Sequence, residues 1–201
     1  MKKITITQIS EKKIKAGNPL LQMEDFPNEL SFDEGELVEL VDSRQKFVAK
    51  AYLAKQNKGV GWVFSLDNAD SFNEAFFKKQ FEKAKRKRTD LQSDPETTTY
   101  RLFNAEGDGI PGVTIDHYDG FAVVSWYSEG IFRYQTAIIA AFQAVFPETK
   151  GIYEKFRYQR KDGLISRYVR GDAAPTPLIV KENGINYATY LDDGLMTGIF
   201  L

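Results

Sequence analysis

The stretch YRLFNAEGDGIPGVTIDHY, residues Tyr100–Tyr118, decides how the second half of the chain folds. Its centre, GDGIPG at Gly107–Gly112, fits the letters of a G-x-G-x-x-G nucleotide-binding fingerprint. That fingerprint requires a helix after the glycines, because the helix N-terminus holds the pyrophosphate. Here Val113–Tyr118 follows, which alternates as a strand does, and Pro111 interrupts the motif. We therefore predict a glycine turn between two strands, without a cofactor at this site.

The composition favours a two-domain, soluble, cytoplasmic protein. The 201 residues, 42% of them hydrophobic, can form two packed cores, since domains cluster near roughly 100–150 residues. The absence of cysteine from this sequence excludes disulfides, thiolate metal sites and cysteine nucleophiles within these residues. No apolar run approaches the ~20 residues that span a bilayer, and the N-terminus MKKITITQIS alternates rather than resembling a signal peptide. We expect no membrane partner.

The pattern of residues 1–70 predicts a compact β-barrel-like domain. Four stretches have the character of short strands: Ile4–Ile9, Glu36–Val41, Lys46–Leu53 and Gly61–Ser65. Ser10 is predicted to cap a short basic helix, Glu11–Ala16, which ends at Gly17. Several short strands with one small helix are typical of such a barrel.

Residues 71–96 are predicted to form an amphipathic linker helix and a linker. Within Ser71–Asp90 the apolar residues recur every three or four positions and share one face: Phe72, Phe76, Phe77, Phe81 and Ala84. The basic run KAKRKR at 83–88 lies at the C-terminal end, where the helix dipole favours cations. Leu91–Glu96 then forms the linker.

Residues 97–201 predict a small α+β domain of strand-strand-helix-strand-strand order. Its expected elements are strands near Thr97–Asn104, Gly112–Tyr118 and Phe121–Tyr127, a helix at Ile131–Phe146, a strand at Lys150–Phe156, a basic irregular segment at Arg157–Arg170, and a hairpin of Leu178–Lys181 with Ile185–Leu191. Asn183-Gly184 is a strong hairpin turn signal.

Charge is segregated along the chain although its net value is only −1. Gln22–Asp42 holds eight acidic residues and no basic one, whereas basic blocks occur at 43–58, 83–88 and 150–170. Such blocks can build a basic face for a phosphate backbone, or they can simply be solvated faces. Basic and amide side chains beside glycines would suit RNA, and the candidates are Lys12, Lys13, Lys15, Asn18, Lys55, Asn57 and Lys58.

The carboxylates around the glycine turn are a weaker candidate for a metal site. Asp116 and His117 are neighbours on a predicted strand, so they point to opposite faces. Glu106 and Asp108 lie in the turn itself, where carboxylates commonly stabilise turns and caps. His117 is the single histidine and has no nucleophile-elbow sequence beside it. We predict no metal and no catalytic triad.

Two segments resemble a known family. Arg101, Leu102, Glu106, Asp108–Gly112 and Asp116 match the pattern RL-x-x-x-E-x-DG-[LI]-PG-x-x-x-D, which resembles the central-domain signature of RlmI-like methyltransferases. These enzymes make 5-methylcytosine in 23S ribosomal RNA with S-adenosylmethionine. Glu182–Gly184 followed by DGLMTGIFL at 193–201 is similar to the family's ENG…G-x-KTGFFLDQR segment. The first seventy residues are similar to its PUA RNA-binding module, although AGNPL at Ala16–Leu20 replaces an Arg-His-Pro-Trp-like sequence.

The resemblance implies an N-terminal PUA domain, a central α+β domain and a C-terminal Rossmann-like methyltransferase domain. We expect this chain to hold the first two and to lack the third, which would carry the catalytic cysteine and the cofactor. The chain alone should then be inactive, contain no catalytic residue and bind no S-adenosylmethionine. Arg101, Glu106, Asp108, Gly109, Pro111, Gly112 and Asp116 would shape a structural turn, and Thr197, Gly198 and Phe200 would lead into the cofactor domain. Ribosomal RNA is the implied partner, with a homodimer as an option for the parent.

Two other functions stay open. The chain could be a stand-alone RNA-binding adaptor, which a stop codon directly after Leu201 would favour. It could instead be a protein-interaction or dimerisation module that uses the Ile131–Phe146 helix or the Ile185–Leu201 hairpin.

Overall fold

The computed structural model describes residues 1–57, 59–192, 196, 197 and 199, and the fold is α+β, as predicted. The strands are β1 (Lys2–Thr5), β2 (Leu20–Leu21), β3 (Leu37–Val41), β4 (Phe47–Gln56), β5 (Gly59–Ser65), β6 (Thr99–Asn104), β7 (Val113–Tyr118), β8 (Phe121–Trp126), β9 (Gly151–Phe156), β10 (Ser166–Gly171), β11 (Leu178–Glu182) and β12 (Ile185–Thr189). The helices are α1 (Gln8–Lys15), α2 (Glu74–Lys87), α3 (Thr89–Ser93), α4 (Ala105–Asp108), α5 (Glu129–Phe132) and α6 (Gln135–Val145). None of these helices is long and apolar enough to cross a membrane.

The first sheet has the order β1-β3-β4-β5-β2, with β1 and β3 parallel and the other pairs antiparallel. One of its faces buries an apolar cluster that includes Ile14 of α1. The predicted cap at Ser10 is wrong, because α1 begins one turn earlier. Thr7 is the N-cap, its hydroxyl accepts from the Ser10 amide at 3.2 Å, and Ser10 lies buried inside the helix.

Helix α2 packs between the first sheet and the second. Its N-cap is Asn73, whose side chain accepts from the Phe76 amide at 3.1 Å. Phe72, just before the helix, meets Phe64 of β5 at 4.5 Å between ring centroids. Further along the helix, Phe81 meets Phe142 of α6 at 5.7 Å. A single aromatic cluster therefore runs from one sheet to the other, and α2 lies at its centre.

The second sheet has the order β10-β9-β8-β7-β6, with only β8 and β9 parallel. Two predictions fail here. The segment at 157–170 is not wholly irregular, since β10 pairs with β9 as an edge strand. The helix at 131–146 is two helices, with a break at Arg133 and Tyr134. The Asn183-Gly184 turn is confirmed, because both residues have positive φ, 50° and 79°, as a type I′ turn requires.

The two faces of the second sheet differ. Ile115, Val124 and Phe156 point into the large cluster shared with α2 and α6. The opposite face is covered in part by the β11–β12 hairpin, through Tyr118, Val123 and Val180. The rest of that face carries polar residues.

Candidate nucleic-acid interface

A groove lies where the C-terminal end of α1 meets the end of β5. Its volume is about 190 Å³, and it is lined by Ile14, Gly17, Asn18, Pro19, Val63, Phe64, Ser65 and Leu66. The Val63 amide donates to the Pro19 carbonyl oxygen at 2.8 Å, which fixes the loop against the strand. Gly17 has φ +93° and open space around the position of a Cβ, so the backbone conformation favours glycine and leaves the surface accessible. The floor is apolar and the rim carries backbone polar groups and an amide.

The three lysines of α1 are in different environments. Lys12 and Lys15 are exposed, and Lys15 pairs with Glu11 one turn earlier at 2.6 Å. Lys13 instead pairs at 2.7 Å with Asp25, a carboxylate that is 3% exposed. Burial raises the pKa of Asp25, but hydrogen bonds from Lys13, Ser10 and the Gln22 amide outweigh it and hold that pKa below its ordinary value. Lys13 therefore holds the fold together, whereas Lys12 and Lys15 are accessible to a ligand.

The remaining candidates of the first sheet lie at both ends of β5. Asn18 is exposed beside the groove, with its Oδ1 accepting from the Leu20 amide at 3.1 Å. Lys55 and Asn57 are exposed near the β4–β5 hairpin, separated from the groove by most of β5, a length of ~20 Å. Lys58 lies outside the described residues. The structure thus places Asn18 at the groove and Lys12 and Lys15 exposed on α1, outside the groove lining, and leaves the hairpin residues apart.

The charges that are segregated in the sequence are interleaved in space. Parallel pairing of β1 with β3 brings Lys2 to Glu36 at 3.6 Å and Lys3 to Glu39 at 3.8 Å. The basic run of α2 is also partly neutralised: Lys87 and Arg88 both pair with Asp108. The acidic segment at 22–42 is therefore not a separate face of the molecule.

The two acidic residues beside the glycines differ in exposure, because Asp108 is buried and Glu106 is exposed. Asp108 accepts from Lys87, Arg88 and the Asn104 amide, at 2.9, 2.6 and 2.8 Å. Burial raises the pKa of Asp108, but these bonds outweigh it and lower the pKa below its ordinary value. Glu106 is exposed.

Gly109 and Gly112 allow other side chains of the protein to approach the loop closely. A Cβ on Gly109 would lie 3.0 Å from the Gln80 side chain, and one on Gly112 would lie 2.6 Å from the Tyr52 hydroxyl. Both glycines also have positive φ, and a strand follows them. This loop contacts the chain's own side chains and does not have the strand-glycine-helix form of a dinucleotide cradle.

Arg101 and Asp116 form an ion pair on the polar half of the second sheet's outer face. They line a pocket of about 300 Å³ together with Tyr118, Val123, Ser125, Tyr127, Lys155, Arg157, Met196, Thr197 and Ile199. Thr197 shares a 2.8 Å hydrogen bond with the Tyr118 hydroxyl. Gly198 and Phe200, predicted to accompany Thr197, lie outside the described residues.

Sequence reasoning missed Lys155 as a pocket residue. The signal was present, because GIYEKF at Gly151–Phe156 places two charges inside an otherwise apolar strand. His117 lies on the other face of β7 from Asp116, stacked on Tyr100 at 4.9 Å. Within the described ranges, no group of three or more His, Cys, Asp or Glu residues could hold a metal ion.

Comparisons with known proteins show which class of protein this chain resembles. Residues 4–66 match the family model of a PUA-like domain, and the whole chain superposes on solved methyltransferase structures. One is a putative SAM-dependent methyltransferase from Streptococcus mutans, with TM-score 0.92, 43% identity, and coverage of 100% of this chain and 51% of that chain. Another, SMU.776, a putative methyltransferase complexed with SAH, gives TM-score 0.92 at 42% identity over 100% and 50%.

The sequence relatives are more specific. The chain is 40% identical over 205 residues to "Putative ribosomal RNA large subunit methyltransferase YwbD" of Bacillus subtilis, covering 100% of this chain and 52% of the relative. It is 31% identical over 171 residues to "Ribosomal RNA large subunit methyltransferase I" of Cronobacter sakazakii, covering 83% and 43%. These matches confirm the resemblance found in the sequence: the chain is a relative of the ribosomal RNA large subunit methyltransferases and carries a PUA-like domain. It spans about half the length of the curated relatives it matches.

Proposed function

We propose that this chain is the RNA-recognition and connector portion of an S-adenosylmethionine-dependent ribosomal RNA methyltransferase that modifies the C5 carbon of a cytosine. The observation that carries the proposal is the PUA-like match at 4–66 within a chain that aligns along its whole length with a relative named as an rRNA methyltransferase. Residues 1–70 are the RNA-binding domain, 71–96 the linker segment and 97–201 the central domain.

The first sheet supplies the RNA contacts in this proposal. Lys12 and Lys15 are the phosphate ligands, because both are exposed on α1, the helix whose C-terminal end borders the groove through Ile14 and Gly17. Asn18 offers an amide at the rim, and the open space at Gly17 allows an RNA backbone to approach closely. Lys55 and Asn57 extend the contact along β5 toward the hairpin, at a distance that requires an RNA segment longer than one nucleotide.

The connector role follows from packing. The aromatic cluster through α2 is continuous from the first sheet to the second, so the groove is held at a fixed orientation to the central domain. RNA bound at the groove is then presented in one geometry to whatever adjoins the second sheet. The contribution of this chain to catalysis is orientation.

The glycine loop of this chain does not fit S-adenosylmethionine. The glycines at 107–112 contact Gln80 and Tyr52 and precede a strand, so they form no cradle for a cofactor. The cysteine-free sequence also offers no thiol nucleophile. We assign the cofactor and the nucleophile to the part of the relatives that this chain does not span, and the chain alone is then inactive.

A role as an interaction module through the predicted helix at 131–146 is not favoured. Ile138, Ala141 and Phe142 of α6 are fully buried within the cluster shared with α2. They have no surface to offer a partner.

The test is the affinity of the chain for a large-subunit ribosomal RNA fragment, measured across salt concentrations. The variant is Lys12→Glu with Lys15→Glu; Lys13 is left intact because it pairs with buried Asp25. We expect affinity to fall by about tenfold or more and the salt slope to shrink by about 2, one for each phosphate contact.

The control is Lys2→Glu with Lys3→Glu, an equal charge change on two exposed lysines of β1, at the opposite edge of the same sheet. It should leave both quantities near wild type. Equal effects of the two double variants would remove the groove from the RNA site.

A further inference from the structure

The solvent side of α2 carries a row of cations. The opposite side of the helix is buried in the aromatic cluster, through Phe77 and Phe81. On the solvent side, Lys79, Lys83 and Arg86 are exposed and recur at i, i+4 and i+7, a spacing that aligns side chains along a helix. Since a helix rises about 1.5 Å per residue, the row is about 10 Å long. We call these three residues the α2 stripe.

Two residues of the stripe have no carboxylate partner. Lys83 donates to the neutral amide oxygen of Gln80 at 3.3 Å. Neither Lys83 nor Arg86 forms an ion pair within the part of the chain that the structure describes. The other cations of the run at 83–88 are neutralised: Lys85 pairs with Glu148, and Lys87 and Arg88 share Asp108. The fold therefore leaves the charges of Lys83 and Arg86 facing solvent.

The stability of the helix does not explain this arrangement. The helix dipole favours cations in the last turn, which covers Arg86 but not Lys79 and Lys83 in the middle of the helix. Lys79 and Lys83 are like charges four residues apart, a pairing that destabilises a helix. Glu82 lies one turn before Arg86, but among the described residues the two form no ion pair. An external anion would compensate what the protein leaves open.

The composition of the exposed face indicates the kind of partner. Of the eight exposed residues of α2, five are cations, two are Glu74 and Glu82, and the last is Ala75. A protein interface depends on large, buried anchor residues at its centre, which Ala75 does not supply. A membrane requires the apolar side of an amphipathic helix, and that side of α2 is buried. A phosphate backbone is bound by cations without any apolar anchor.

The α2 stripe begins beside the groove of the first sheet. Ser65 lines that groove, and its hydroxyl donates to the Asp70 carboxylate at 2.6 Å. The same carboxylate lies 3.8 Å from the ammonium group of Lys79, whose side chain is 58% exposed. Phe64, also in the groove lining, packs against Phe76 of α2 at 5.6 Å between ring centroids. An RNA strand that leaves the groove at this end therefore meets the first residue of the stripe.

We propose that the α2 stripe binds the phosphate backbone of RNA, as a second contact surface that continues the groove toward the central domain. The proposal rests on the proposed function, because it takes RNA as the ligand of this chain. Lys83 and Arg86 are the phosphate contacts, and the planar guanidinium of Arg86 can hold two phosphate oxygens at once. Lys79, steadied by Asp70, adds positive charge where the strand leaves the groove.

The test measures the affinity of the 201-residue chain for the large-subunit ribosomal RNA fragment across salt concentrations. The variant is Lys83→Gln with Arg86→Gln, which removes two charges and keeps long, helix-favouring side chains at exposed positions. We expect affinity to fall by about tenfold or more and the salt slope to shrink by about 2. Backbone amide shifts of Lys79, Lys83 and Arg86 in the unsubstituted chain locate the contact without any variant.

The matched control is Lys161→Gln with Arg170→Gln. It also changes one exposed lysine and one exposed arginine that have no ion pair in the described ranges. Arg170 bonds to the neutral side chain of Gln143, as Lys83 does to that of Gln80. Arg170 belongs to β10, at the edge of the second sheet opposite β6, whereas α2 bonds to β6. The control should bind RNA as the wild type does, and thermal unfolding checks the fold of each variant.

The outcomes separate this proposal from the function proposed for the groove. Weaker binding by the α2 variant and by the Lys12/Lys15 variant supports a strand that runs over both surfaces. Weaker binding by the α2 variant alone supports the stripe and removes the groove. If only the groove variant weakens binding, the stripe is not an RNA contact and this proposal is overturned while the groove assignment stands.

Two further results would overturn the proposal. The first is an α2 variant that behaves like the control, with unshifted amides along the stripe. The second is binding of poly-glutamate, used as a probe for an acidic protein, that depends on Lys83 and Arg86 and is as tight as binding of the RNA.

Discussion

The phenol of Tyr52, in the first sheet, donates a hydrogen bond of 3.0 Å to the backbone carbonyl oxygen of Pro111, in the glycine loop of the second. Both groups are buried, and burial raises the pKa of Tyr52 well above its ordinary value, so the donor stays protonated. The bond fastens the PUA-like sheet directly to the glycine loop of the second sheet. It explains why Gly112 cannot carry a side chain, since the Tyr52 hydroxyl occupies that space.

Tyr52→Phe should lower the free energy of unfolding by about 1–2 kcal/mol, because it leaves the Pro111 carbonyl buried without its partner. Urea unfolding measures the change. Tyr190→Phe is the control, since Tyr190 is exposed and should change stability by less than about 0.5 kcal/mol. Equal effects of the two changes would show that the bond contributes nothing.

Gly112→Ala should cost more than Gly163→Ala, and the difference isolates the contact with Tyr52. Both glycines have positive φ, +78° and +69°, but nothing lies within 4 Å of a Cβ at Gly163. Both substitutions therefore strain the backbone, and only the one at Gly112 also places a Cβ too close to the Tyr52 hydroxyl. In a Tyr52→Phe background the extra cost should shrink, which a double-mutant cycle detects. An additive cycle would contradict the account.

Asp108→Asn should destabilise the protein by about 2–3 kcal/mol, because Arg88 and Lys87 lose their carboxylate partner at a site that is 3% exposed. Glu106→Gln, in the same helical turn, is the control: Glu106 is exposed and should tolerate the change. Thermal unfolding of the two variants compares them. If Asp108→Asn were as stable as the wild type, the ion pairs of Asp108 with Lys87 and Arg88 would not stabilise the loop.

Stability should fall on acidification because of His117. Burial lowers its pKa from 6.5 to about 4, and its Nε2 accepts from the Gly120 amide at 3.2 Å, which requires a neutral ring. Between these values the unfolded chain binds the proton that the folded chain excludes. The free energy of unfolding should therefore drop by about 2 kcal/mol from pH 7 to pH 5.

His117 is the only histidine, so no other imidazole contributes to the change in the free energy of unfolding between pH 7 and pH 5. Burial raises the pKa of Asp116, which acts in the opposite direction, and His117→Phe separates the two groups. The variant should lose the drop in stability, whereas a drop that persists in it would assign the effect elsewhere. An NMR titration of the His117 ring gives the folded pKa independently.

The sequence predicts best where one physical signal dominates. Phe76, Phe77 and Phe81 predict α2 and its buried face, because large apolar residues at this spacing share one face only when the chain is helical. The strand after the glycines is predicted from an equally clear alternation of apolar and polar residues. The edge strand β10 is missed because it is exposed along much of its length and so lacks an apolar alternation.

The roles of charged side chains are the hardest to predict from the sequence, because their partners are distant along the chain. Lys13 looks like a phosphate ligand until the chain brings Asp25 beside it, twelve residues later. Lys155 looks like a break in an apolar strand, and only the register with Ser125 and Thr114 shows that it lines a pocket. The sequence shows the sign of each charge, whereas the fold decides which charged side chains face solvent.

Mapping the RNA contact on the isotope-labelled chain shows whether the groove beside α1 receives ribosomal RNA. A large-subunit rRNA fragment is titrated while backbone amide shifts are followed. We predict that the largest changes lie at Lys12, Lys15, Gly17, Asn18 and Ser65. Binding that leaves these amides unperturbed, or no binding at low salt, would rule out the groove as the RNA site.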